Sequence, residues 1–332
     1  MDSLSQIALG AAVGVAVMGR RTALWKAAAW GAVCGTLPDL DAFIDHGDAL
    51  SNMVLHRGNS HALFWLSMAA VPIAAGIAVL QRERALFGRW LLAVWLALIT
   101  HPLLDYMTIY GTQLLRPFSS EPLGLGSIFI IDPLYTLPLL IGTGAALAGG
   151  ARSLRWNAAG LLLSTAYLGW SALAQQHVEQ LARQSLTGQP VQRLLVTPSP
   201  FNTVLWRIVA ITPDGYREGF YSLLDAGATI RFERFERGEA LYEALKTHPP
   251  VATLADFSDG FFKLERRADQ VLITDLRMGQ EPNYTFSFVV AEQHSPLRPL
   301  ARPQLAGSRG DLQAGLAWLW RRLRGEDIAP PR

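Results

Sequence analysis

Six apolar runs dominate the first half of this chain, at about 4–18, 22–37, 62–80, 86–101, 128–149 and 154–174. A helix that crosses a bilayer needs about 20 residues, within a range of about 17–25. The third, fifth and sixth runs meet that length. The first and second are short, and the fourth carries Arg89 near its start. We therefore read residues 1–175 as an α-helical integral membrane domain of about six helices. Gly10 and Gly14 form a GxxxG in the first run, which fits close helix contact in lipid or simply an Ala/Gly-rich helix. Asp2 replaces the basic start of a secretory signal, and no small-residue cleavage site precedes polar sequence, so no cleavable leader is expected.

Alternate loops carry the basic residues: Arg20, Arg21 and Lys26, then Arg82, Arg84 and Arg89, then Arg152 and Arg155. The positive-inside rule puts these loops in the cytoplasm. The 38–61 and 102–127 loops, and everything after about 175, then face the other side, the periplasm of a Gram-negative cell. The expected home is the inner membrane.

Charge excludes other classes. Of 332 residues only 17% are charged, with 29 Lys+Arg against 27 Asp+Glu. No basic stripe marks a nucleic-acid partner. The single cysteine, Cys34, excludes an intrachain disulfide framework and any CxxC zinc motif.

Composition shifts after Gln175, and 176–332 reads as a small soluble α+β domain. Alternating segments at Val204–Ile211, Thr229–Phe235, Phe261–Glu265, Gln270–Leu276 and Tyr284–Val290 predict strands. Pro213-Asp214-Gly215, Pro249-Pro250 and Ser258-Asp259-Gly260 predict turns. Glu239–Leu245 and Asp311–Leu323 predict short helices. His177, His248 and His294 are isolated and read as surface residues.

Chemistry gathers at the predicted periplasmic face. Polar residues near lipid are costly, about 2.5–3.5 kcal/mol for a central aspartate on insertion scales, so their convergence needs a reason. Pro38-Asp39-Leu40-Asp41 closes the second run, with Asp45 and His46 soon after. His56-Arg57-Gly58-Asn59-Ser60-His61 opens the third. His101-Pro102-Leu103-Leu104-Asp105 closes the fourth, and Asp132 opens the fifth. His101 and Asp105 share a helix face, as two metal ligands or as a histidine oriented by a carboxylate. Pro102 fits a first helical turn, which would make His101 a cap. His56 and His61 need a turn at Gly58 to converge. Asp39 and Asp41 could both face inward or cap a helix. Together these groups offer three imidazoles and three carboxylates, a set suited to zinc, manganese or iron.

These motifs, with Met1-Asp2-Ser3-Leu4, Tyr110-Gly111-Thr112-Gln113-Leu114-Leu115, Pro117-Phe118-Ser119 and Ile131-Asp132-Pro133, resemble the membrane-bound metal-dependent hydrolases. That family is also called YdjM-like or DUF457 and is described as LexA-binding and inner-membrane-associated. The resemblance covers about residues 1–175 and implies a metal-dependent hydrolase. Its His…His and His-x-x-x-Asp pattern is distantly similar to the zinc-dependent phospholipase C and P1-nuclease group, which implies a phosphodiester or lipid-linked substrate. Many members carry a histidine in the first helix where this chain has Gln6. The LexA-binding label is not carried over, because the large soluble domain is expected to face away from the cytoplasm.

The expected site is one or more divalent ions, zinc first, held by His56, His61, His101 and Asp105 with Asp39 and Asp41. Asp39 or Asp41 is the expected general base. Arg57 is expected to hold an anionic group, and Asp132 and Gln6 to support the ligands. Membrane lipids and a small-molecule or lipid-linked substrate are the expected partners, with protein partners left open. The rival reading is a membrane carrier that relays protons through the same His/Asp set near the bilayer midplane. A third is a scaffold whose 176–332 domain recruits partners.

Overall fold

Each of the six apolar runs becomes a helix in the computed structural model, which describes residues 1–294, 296–308 and 310–331. They are α1 (Ser3–Met18), α2 (Leu24–Thr36), α4 (Leu63–Leu80), α5 (Phe87–Tyr106), α6 (Pro133–Gly149) and α7 (Leu154–Ser185); a short α3 (Ala49–Leu55) lies between α2 and α4. The chain divides into two compact units. The first comprises Met1–Ile44, His56–Leu173 and Pro200–Asn202. The second comprises Asp45–Leu55, Ala174–Ser199 and the chain from Thr203 onward.

Among the described residues, two helices are long and apolar enough to cross a membrane, Leu63–Leu80 and Arg84–Tyr106. α1, α2 and α6 fall short in length, whereas α7, at 32 residues, falls short in apolar character. A helix rises about 1.5 Å per residue, so α1 and α2 extend about 24 and 20 Å against a hydrocarbon core of about 30 Å.

On α4 small residues face inward and large apolar ones outward: Ala70, Ala74 and Ala78 are buried, while Phe64, Trp65, Met68 and Val71 are exposed. That inversion is the pattern of helices packed in lipid. The contact of α1 with α2 is the extreme case. A Cβ on Gly10 would lie 2.2 Å from the Gly31 carbonyl oxygen, and one on Gly31 would lie 2.1 Å from that of Gly10. The GxxxG of α1 thus meets a second glycine pair, Gly31 and Gly35, with no room for a side chain.

The second unit follows with β1 (Arg193–Pro198), β2 (Leu205–Thr212), β3 (Gly215–Ser222) and β4 (Phe232–Phe235), an antiparallel sheet in sequence order. Next come α8 (Glu239–Leu245), α9 (Pro249–Phe257), β5 (Phe262–Arg267), β6 (Gln270–Asp275), β7 (Gly279–Gln280), β8 (Asn283–Tyr284), β9 (Ser287–Glu292), β10 (Arg298–Leu305) and α10 (Leu312–Leu323). The second sheet has the order β10-β9-β6-β5. Every residue of β2 is buried. Trp206 and Ile208 pack with Val178 and Ala182 of α7, while Val209 and Ile211 pack with Phe261 and Leu276. Alternate side chains therefore serve two cores. Pro249-Pro250 opens α9 instead of forming a turn, because a first-turn proline has no intrahelical N–H bond to lose.

Candidate metal centre

Three short segments deliver the site. After α2, Pro38 starts a 3-10 turn over Leu37–Phe43 that carries Asp39 and Asp41. A second such turn, Asn59–His61, ends at His61, just before α4. The last two turns of α5 carry His101 and Asp105 on one face. Pro102 does not begin a new helix: α5 runs through it, and His101 is an interior residue, not a cap.

Asp39, His61, His101 and Asp105 converge so that one ligand atom from each lies within 4.8 Å of the others. The closer distances are more telling. His61 Nε2 and His101 Nε2 are 3.1 Å apart. Each of these nitrogens lies 3.3 Å from Asp39 Oδ1 and 3.3 Å from Asp105 Oδ2. A tetrahedral ion with ligands about 2.0–2.1 Å away holds them about 3.3–3.4 Å from one another. Four edges of the tetrahedron therefore have the length that a zinc-sized ion requires, and the fifth, between the imidazoles, is about 0.2 Å shorter.

The hydrogen bonds fix which atoms face the centre. His101 Nδ1 is 2.6 Å from the Gly35 carbonyl oxygen. A carbonyl only accepts, so Nδ1 carries the hydrogen, and in the neutral ring Nε2 presents its lone pair. The Ser60 hydroxyl donates to Asp41 Oδ2 at 2.5 Å and lies 2.9 Å from His61 Nδ1. With its one hydrogen spent, Ser60 accepts from Nδ1, so the neutral ring of His61, the form that binds metal, also points its Nε2 lone pair inward. Two lone pairs at 3.1 Å repel unless a cation sits between them.

Asp105 divides its oxygens in the same way. Its Oδ1 accepts from Gln6 Nε2 at 3.2 Å, faces Arg57 Nη2 at 3.3 Å and meets the Met1 amino group. Its Oδ2 is buried with no hydrogen-bond partner among the described residues. A carboxylate oxygen left bare inside a protein is costly, and here it faces both imidazoles. The donor set and this orphaned atom fit a divalent ion.

Asp41 supports the ligands. Its Oδ1 lies 2.8 Å from His56 Nδ1, and its Oδ2 also accepts from the Arg57 backbone N–H at 2.9 Å. Arg57 adopts φ 63°, a left-handed conformation that non-glycine residues rarely hold without compensation. Burial pushes Asp39 and Asp41 up, but their bonds to the histidines, and of Ser60 to Asp41, hold both well below the usual carboxylate range. Burial opposes a charged His61, yet the surrounding carboxylates of Asp105, Asp39 and Asp41 outweigh it and lift its pKa to about 9, so a proton occupies this ring when no metal ion does. The carboxylates favour positive charge at this point.

Other expected residues stand apart from the cluster. His56 touches Asp41 and packs edge-on against Tyr110, 5.7 Å away. Arg57 bonds Thr108 at 3.2 Å and lies 4.8 Å above the Tyr110 ring. Gln6 is buried with Asp105 and the His101 carbonyl. Asp132 caps α6 and accepts from the Tyr167 hydroxyl at 2.8 Å. Asp45 and His46 belong to the second unit. Sequence reasoning assigned no role to Ser60, although its place beside His61 in the His56–His61 motif was a usable signal. The Met1 amine had none.

A family model described as YdjM inner membrane protein matches residues 1–178. The chain is also 25% identical over 313 residues to the uncharacterized protein YfhP of Bacillus subtilis (strain 168), covering 89% of this chain and 92% of that one. No solved structure matches it.

Proposed function

The chain belongs to the YdjM inner membrane protein family, and from that premise we propose a membrane-bound metal-dependent hydrolase. Its substrate is a phosphodiester or a lipid-linked compound, the class implied by the motif resemblance. The observation that carries the reading is the four-atom cage of Asp39, His61, His101 and Asp105 at tetrahedral spacing. Zinc is the first choice of ion, with manganese and iron compatible with the same donors.

A bound zinc ion supplies Lewis acidity and brings the pKa of a coordinated water to about 7. The chain's own residues divide the remaining work. The Asp39 side chain is 24% exposed whereas those of His61, His101 and Asp105 are fully buried, so substrate approaches past Asp39. Both oxygens of Asp41 are occupied by His56, Arg57 and Ser60. Asp39, the most exposed corner of the cage, is therefore the carboxylate that would yield its place to a water and take the proton, with His61, His101 and Asp105 left to hold the ion. Arg57 lends positive charge for an anionic substrate group, and its Nε–H has no partner among the described residues.

The membrane arrangement rests first on α4 and α5. His61 precedes the first residue of α4, and Asp105 sits in the last turn of α5. Both ends lie at one membrane face, and the intervening loop with Arg82 and Arg84 takes the cytoplasmic side. The site then faces the periplasm, with α1 and α2 embedded as a short pair. With α6 and α7 as further crossings, the second unit is periplasmic. A site at helix ends favours a surface hydrolase over a carrier, whose site lies near the midplane.

The test is hydrolysis of bis(4-nitrophenyl) phosphate and of phospholipid vesicles by detergent-purified protein. Expected is release that a chelator stops, that added zinc restores and that His61→Ala lacks. Protein carrying stoichiometric metal yet inert on both substrates contradicts the reading.

A further inference from the structure

The two halves of the metal site are joined by a segment that folds elsewhere. Asp39 and Asp41 precede it, His56, Arg57 and His61 follow it, and Asp45–Leu55 between them belongs to the second unit. That segment is well formed in itself. The Asp48 carboxylate accepts from the backbone N–H groups of Leu50 and Ser51, both at 2.9 Å, and so caps α3. Asp45 and Asn52 bond each other at 3.1 Å. Leu50 and Met53 are buried, and α3 packs on α9 and β10. At its base, Asp41 Oδ1 meets His56 Nδ1 and Asp41 Oδ2 accepts from Arg57 N–H. These are the bonds that, with Ser60, orient His61.

We propose that the second unit controls the metal site by holding α3. The excursion leaves and re-enters the first unit between Asp41 and His56, the pair whose hydrogen bond closes the loop. Seating α3 fixes both strands of chain at that point. It thereby holds the Asp41–Ser60–His61 relay in the alignment that points the His61 Nε2 lone pair inward. Releasing α3 leaves every ligand present but frees the turn that carries His61. The soluble domain is on this view a regulator of the membrane domain's chemistry, and a ligand or partner that loosens α3 lowers activity.

The zinc readout below rests on the proposed metal site, and the exchange readout does not. Full-length protein in nanodiscs receives a Gly-Ser pair between Ile44 and Asp45 and another between Leu55 and His56. A second variant, Leu50→Asp with Met53→Asp, unseats α3 directly. Leu245→Ala, in α8 against β5, controls for general damage to the second unit. Zinc affinity is measured by chelator competition and amide exchange over 56–61 by mass spectrometry. Expected is faster exchange at 56–61 and about tenfold or more weaker zinc binding in the first two variants, with Leu245→Ala unchanged in both. Unaltered exchange in the linker variant, equal effects in Leu245→Ala, or undiminished zinc affinity where the wild type binds zinc each overturn the proposal. A wild type that binds no zinc removes the metal reading, and the exchange result still decides this one.

Discussion

Both units bury charge, but they treat it differently. In the second unit Arg207 bonds Glu218 at 2.5 Å, the Leu276 carbonyl at 2.8 Å and the Tyr284 hydroxyl at 3.3 Å. Lys263 lies 2.7 Å from Glu281 and 2.9 Å from Glu265, and Arg277 pairs with Asp275 at 2.7 Å. Each buried charge there meets its opposite. In the first unit Asp105 Oδ2 faces two imidazole nitrogens that present lone pairs when their rings are neutral, and among the described residues it has no hydrogen-bond partner. A matched network ties a fold together. Acceptors converging on one point with no donor between them define a place for a cation. The contrast separates architecture from function without reference to any relative.

Four experiments sharpen that contrast, from the largest effect to the smallest. Asp105→Ala removes a ligand and should bring zinc, measured by equilibrium dialysis, to background. The membrane-bound amount of protein should stay unchanged. Arg207→Ala leaves Glu218 buried without its partner, and should cost about 3–5 kcal/mol in the denaturation of the second unit. Replacing both members, Arg207→Met with Glu218→Leu, should recover most of that loss; failure to recover would mean that the pair does more than bridge strands. Asp41→Asn weakens the support of His61 and should lower zinc affinity about 10–100-fold. His56→Ala should leave bound zinc near the wild-type amount, since its Nδ1 is directed at Asp41. Loss of zinc in that variant would place His56 among the ligands.

Much of the site was legible because its spacing is local. His101 and Asp105 lie one helical turn apart, and the polar motifs all fall at ends of apolar runs. Their division of labour was not legible. Asp39 and Asp41 are two residues apart in a 3-10 turn, so one faces the cluster and the other His56. No periodicity distinguishes them. The path of α3 into the second unit leaves no mark on its own sequence either. In the second unit, β1, β3 and β10 were missed. Pro198, Pro299 and Pro303 interrupt two of them, and Gly215 and Gly219 break the alternation of the third. The two-residue β7 and the α9 that Pro249-Pro250 opens were missed as well. The composition change at Gln175 also hid a continuous helix, because α7 runs on to Ser185 with an apolar face against β2.

The most direct test of the central claim is the metal content of detergent-purified protein by elemental mass spectrometry, beside a His101→Ala, Asp105→Ala double variant. About one divalent ion per chain in the wild type, lost in the variant, is the predicted result. A wild type empty after reconstitution, or a variant that retains the same metal, would contradict it.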